Sequence, residues 1–67
     1  MEFGKILREL RLERNISQME LAKLTGISQS AIAKWEMGKT EPTASALLTL
    51  SHFFNESVDF LLGNDKY

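Results

Sequence analysis

The sequence predicts an all-α fold, five short helices packed into one domain over residues 1–67. Three observations carry this expectation. Apolar residues recur every three or four positions and no segment alternates with period two, the pattern of amphipathic helices and not of half-buried strands. Ser17, Ser28, Thr43 and Ser57 stand where helices could start, and Gly26, Gly38, Asn55 and Gly63 where they could stop. A chain of 67 residues without cysteine has neither a disulfide nor a thiolate zinc site to brace it, and the single His52 cannot cage a metal. Helix or sheet packing must supply the stability, and without a period-two segment that leaves helices.

The first helix is read from Phe3 to Arg14, with Phe3, Ile6, Leu7 and Leu10 as its i, i+3, i+4, i+7 stripe and Leu12 on the opposite side. Asn15 and Ile16 lead into Ser17, which forms a capping box with Glu20: hydroxyl and carboxylate each satisfy a backbone N–H at the helix start. This second helix runs through Leu21, Ala22 and Leu24 to Gly26, which takes a left-handed conformation without a Cβ penalty. Ser28 caps the third helix, whose Ile32 and Trp35 point inward and which ends at Gly38. Lys39, Thr40, Glu41 and Pro42 form a loop, because proline disfavours helical geometry in the residue before it. Thr43 caps a fourth helix, read to about Phe54 with Leu47, Leu50, Ser51 and Phe54 as its stripe. Ser57 caps a short fifth, and its Val58, Leu61 and Leu62 close over the bundle.

Charge is unevenly spread beneath a net value of −1. From Lys5 to Lys39 seven basic residues stand against four acidic ones, whereas from Thr40 onward Lys66 stands against Glu41, Glu56, Asp59 and Asp65. A mildly basic front permits an anionic partner, although a solvated mixture of charges produces the same count. No apolar run approaches a membrane span and the start does not resemble a secretory signal, so a cytoplasmic protein without a membrane partner is expected. An enzyme is not expected. There is no cysteine nucleophile, no paired histidine and carboxylate, no phosphate-loop glycine pattern and little chain to wall off a pocket. No cofactor or metal is called for.

The informative spacing is Gln18, Leu21, Ala22, Gly26, Ile27, Ile32 and Trp35. A small residue followed four positions later by glycine lets two helices meet steeply through a short turn, which is the pattern of a helix-turn-helix. The stretch SQMELAKLTGISQSAIAKWEMGKTEP, with LREL before it and SVDFLLG after it, closely resembles the Cro and phage-repressor type, or XRE-like, DNA-binding domain. That resemblance runs from about Phe3 to Leu62 and implies a compact five-helix, lambda-repressor-like bundle with helices two and three as the motif.

A wheel of roughly 100° per residue, fixed by the inward Ile32 and Trp35, leaves Gln29, Ser30, Ala33, Lys34 and Met37 outward on the third helix. Gln29 can bond an adenine edge, Ser30 can donate or accept, Lys34 can reach guanine or phosphate, and Ala33 can touch a thymine methyl. Gln29, Ser30, Ala33 and Lys34 are therefore the candidate base readers, against the plainer reading of a solvated helix face.

The resemblance implies that Gln18 contacts the DNA backbone and braces Gln29 and that Lys39 and Thr40 form a second phosphate clamp, with Ser28 as a further candidate phosphate contact. The plainer readings are a solvent-facing polar residue at Gln18 and ordinary loop residues at Lys39 and Thr40. The resemblance also implies that Arg11 and Glu36 form a partly buried ion pair between the first helix and the end of the recognition helix. Met37, where relatives often carry Arg or Asn, and Glu41, beside the loop contact, depart from that pattern and should weaken non-specific binding. Arg8 and Arg14 receive no assignment.

The expected partners are an operator in double-stranded DNA and a second copy of the chain, since one such domain reads only a half-site. Phe53 and Phe60 are the candidate dimer contacts, or alternatively a cover for a small core. The leading reading is a dimeric regulator, a repressor by preference. The alternative is a protein-interaction module on the same scaffold, such as the antitoxin of a toxin pair.

Overall fold

Four of the five helices begin where a hydroxyl takes over an orphan backbone N–H. In the computed structural model, which describes residues 2–64, the elements are α1 (Phe3–Glu13), α2 (Gln18–Thr25), α3 (Gln29–Glu36), α4 (Ala44–Phe54) and α5 (Val58–Leu61). Met1 and residues 65–67, and with them the Asp65 and Lys66 of the charge balance, lie outside the described residues. Ser17, Ser28, Thr43 and Ser57 accept from the N–H groups of Glu20, Ala31, Ala46 and Phe60 respectively. The capping box at α2 is complete, with Glu20 returning a bond to the Ser17 N–H. Gly26 (φ +78°) and Asn55 (φ +55°) end α2 and α4 in the left-handed region. The first helix closes one residue earlier than its sequence stripe suggests, with Arg14 as its C-cap and Asn15 left-handed behind it.

The helices bury one shared core. α1 packs on α3 and α5, α2 on α3 and α4, and α4 on α5. Phe3, Leu7 and Leu10 of α1 meet Leu21 of α2, Ile32 and Trp35 of α3, Ala46, Leu50 and Phe54 of α4, and Leu61 of α5. Leu7, Leu21, Ile32, Leu50 and Leu61 are completely enclosed, and each such side chain contributes roughly 1.5–3 kcal/mol of transfer free energy. Phe3 and Trp35 meet edge to face at 5.7 Å. Beside them a Cβ on Gly4 would lie 2.1 Å from the Trp35 carbonyl oxygen, so glycine is what lets the α1 and α3 backbones touch.

Two details differ from the sequence reading. The buried line on α4 is Ala46, Leu50 and Phe54, while Leu47 and Ser51 are half-buried at its edge. Alanine adds little to an apolar stripe read by eye, yet a small side chain is what a closely packed helix can bury. Leu24 carries the apolar run of α2 but stands 61% exposed, because α2 turns only Leu21 fully inward.

Candidate nucleic-acid interface

The turn between α2 and α3 is three residues long, Gly26 to Ser28. Gly26 donates its N–H to the Ala22 carbonyl and its left-handed conformation swings the chain round, while half-buried Ala22 and Ile27 pack against the core. α3 is thereby held across α2 with Ile32 and Trp35 inside. Its other side is left open: Gln29, Ser30, Lys34 and Met37 are exposed and Ala33 is half-buried beside them. Ser28 spends an oxygen lone pair on the Ala31 N–H and keeps its own proton for a partner. Lys39 and Thr40 are exposed in the loop beyond the far end of α3, where the Lys39 N–H closes on the Lys34 carbonyl.

A chain of polar side chains ties this face to the rest of the fold. Arg11 is buried, and its guanidinium grips Glu36 in a fork: Nε donates to Oε2 at 2.8 Å and Nη2 to Oε1 at 2.9 Å. Its remaining arm donates from Nη1 to the Ile16 carbonyl at 3.0 Å, fixing the loop before α2. The hydrogen bonds to Glu36 raise the Arg11 pKa above its ordinary value, against desolvation, which lowers it. The Gln18 Nε2 donates to the same Glu36 Oε1 at 3.1 Å, and the Gln18 Oε1 accepts from Gln29 Nε2 at 2.8 Å. The order is thus Arg11, Glu36, Gln18, Gln29, crossing α1, α3, α2 and α3 again. The family resemblance implies the Arg11–Glu36 and Gln18–Gln29 pairs, and the structure adds the Gln18–Glu36 bond that joins them, which neither the resemblance nor the spacing signals.

Phe53 and Phe60 lie away from this surface. Both are half-buried and pack against the core, Phe53 with its ring edge-on to Phe54 at 4.9 Å. Arg14, which the sequence left unassigned, caps the end of α4: its guanidinium donates to the Phe53 and Phe54 carbonyls at 3.2 Å each and lies over both rings. Among the described residues no group of histidine, aspartate and glutamate is arranged to hold a metal, and no helix is long and apolar enough to cross a membrane.

Residues 7–61, nearly all of this bundle, match the helix-turn-helix family. The chain belongs to that family, in its Cro and phage-repressor branch. Among its helix-turn-helix relatives, it is 39% identical over 66 residues to the HTH-type transcriptional activator BcrR of Enterococcus faecalis, covering 98% of this chain and 32% of the relative. It is 40% identical over 62 residues to the repressor protein C2 of Salmonella phage P22, covering 92% of this chain and 29% of that one. It is also 29% identical over 63 residues to the antitoxin PezA of Streptococcus pneumoniae, covering 94% and 40%. The chain therefore spans about a third of the length of these curated relatives. No solved structure matches the chain.

Proposed function

We propose that this helix-turn-helix chain is a sequence-specific, double-stranded DNA-binding transcriptional regulator that lays α3 in the major groove of a two-fold symmetric operator as a dimer. The carrying observation is the open face of α3, where Gln29, Ser30 and Lys34 project from a helix whose opposite side is locked into the core. Such a mixture of amide, hydroxyl and ammonium matches the donors and acceptors of base edges. Gln18 and Ser28 at the starts of α2 and α3, with Lys39 and Thr40 beyond the other end of α3, supply phosphate contacts that fix the register. The similarity to an activator and to a repressor is nearly equal, so occupancy of the operator is the step this domain performs in either mode. The dimer forms through the rear of the molecule, where Phe53 and Phe60 keep part of their surface free and Leu48 is 54% exposed.

One observation favours a second reading, the similarity to an antitoxin. In that reading the rear face meets a different protein.

Selection of retained sequences from a randomised duplex library at near-physiological salt, with light scattering on the same sample, tests the proposal. A two-fold symmetric motif with half-sites about 34–36 Å apart, together with a dimer mass, is the expected result. A monomer that enriches no motif would overturn it and favour the protein-binding reading.

A further inference from the structure

Glu36 ends α3 with its side chain only 4% exposed, yet it is joined through Gln18 to Gln29 on the open face. Along the helix the two residues are seven positions apart, about 10 Å. Gln18 bridges that gap. The chemistry of the bridge has a direction, because a carboxylate accepts and cannot donate. With its Nε2 turned to Glu36, Gln18 presents its Oε1 to Gln29, and Gln29 answers with an N–H. That leaves Gln29 with its own Oε1 and its second N–H for the groove.

We infer that Glu36 is a positioning residue that determines sequence preference without touching DNA: acting through Gln18, it fixes which way round the Gln29 amide faces the groove. The inference rests on the proposed function and goes beyond it by naming what sets the reading. The two orientations of a glutamine amide have nearly the same shape, so packing alone does not select between them. A charged acceptor two side chains away does. Arg11 holds that acceptor still, since its fork takes both Glu36 oxygens. An acceptor beside a donor suits adenine, which offers N6–H and N7, and rejects guanine, whose N7 and O6 both accept.

The test has two arms. In the free protein, nuclear magnetic resonance spectra should show through-hydrogen-bond couplings from a Gln18 side-chain N–H to the Glu36 carboxylate carbon and from a Gln29 side-chain N–H to the Gln18 side-chain carbonyl carbon, and none from Gln18 N–H to the Gln29 side-chain carbonyl carbon. Glu36→Gln should make both orientations visible. In the second arm, duplexes chosen by the wild type are varied at the base pair that Gln29→Ala renders indifferent, and adenine is compared with guanine there. The wild type should discriminate roughly 5- to 150-fold, the range one bidentate contact supplies, falling to about 3-fold or less in Glu36→Gln and in Gln18→Met.

Gln18→Met keeps the Arg11–Glu36 pair intact, so it decides the matter if Glu36→Gln does not fold. Should Gln18 merely hold a phosphate, or Glu36 merely hold the fold, both changes would weaken all duplexes alike and leave the ratio untouched, which overturns the inference. A coupling from a Gln18 side-chain N–H to the Gln29 side-chain carbonyl carbon in the wild type would overturn it while leaving base reading in place. Intact amide polarity in a protein that prefers no duplex would instead overturn the proposed function, and the inference with it.

Discussion

The front of the molecule, α1 to α3, and its rear, α4 and α5, share one apolar core, but the front adds a long-range polar network that the rear does not match. At the front a buried arginine, a carboxylate and two amides join three helices through bonds between residues 11 to 25 positions apart. At the rear Leu50, Phe54 and Leu61 fill space, and the polar work is local: Thr43 and Ser57 cap their own helices. Arg14 is the long-range exception, reaching the α4 carbonyls from the end of α1. Apolar burial is non-directional, so the rear can adjust under a substitution. A forked ion pair is not adjustable in that way, and it fixes the orientation of α3 and of the groups displayed on it.

The largest effect is expected from breaking the front pair on one side only. The Arg11 and Glu36 side chains are 10% and 4% exposed, and truncating one partner leaves a charge without its counter-ion. Glu36→Ala should therefore cost about 3–5 kcal/mol in urea unfolding. The double change Arg11→Met with Glu36→Leu should recover most of that loss, because an apolar pair avoids the desolvation of both ions. If recovery fails, the ion pair stabilises the front by more than an apolar pair in its place would. The matching rear change, Leu50→Ala, empties a site with no exposure and should cost roughly 2–5 kcal/mol in the same measurement. It should nevertheless leave base preference unchanged, which separates the two regions by function and not by size of effect.

Much of this contrast was legible in the sequence, and the part that was not has a physical reason. Caps are local chemistry, so Ser17 with Glu20, and Ser28, Thr43 and Ser57, announce their helices within three residues. The outward arc of α3 follows from one pair of inward anchors and the helical period. What sequence cannot display is a contact between helices whose crossing is unknown. The Gln18–Glu36 bond, the embrace of Phe53 and Phe54 by Arg14, and the touching backbones at Gly4 and Trp35 all belong to that class. Ala46 was hidden for another reason, since burial of a methyl group leaves almost no hydrophobic signature.

On the DNA side of the comparison, Gln29→Ala should lose about 1–3 kcal/mol on the selected operator and relax preference at one base pair. Lys39→Ala should weaken all duplexes alike and reduce the slope of log affinity against log salt by about 1, in the manner of one lost phosphate contact. Titrations of two duplexes at several salt concentrations measure both. Equal losses on every sequence from both changes would remove Gln29 from the base readers.

The smallest expected effect probes Arg14, the long-range polar tie at the rear among the described residues. Arg14 is exposed, and both its bonds to the α4 carbonyls are 3.2 Å long. A cation at a helix C-terminus contributes about 0.3–1 kcal/mol, and an exposed cation over a ring about 0.5–1 kcal/mol. Because both depend on the same guanidinium, they overlap, and Arg14→Ala should cost about 1 kcal/mol in urea unfolding. Arg14→Lys discriminates between the causes. Lysine keeps the charge near the helix end but cannot fork to two successive carbonyls or lie flat on a ring. Recovery of less than half the loss would assign the effect to the fork and the two phenylalanines. Nearly full recovery, lost again in high salt, would reduce Arg14 to a charge at a helix end and assign the junction of α1 with the end of α4, among the described residues, to apolar packing.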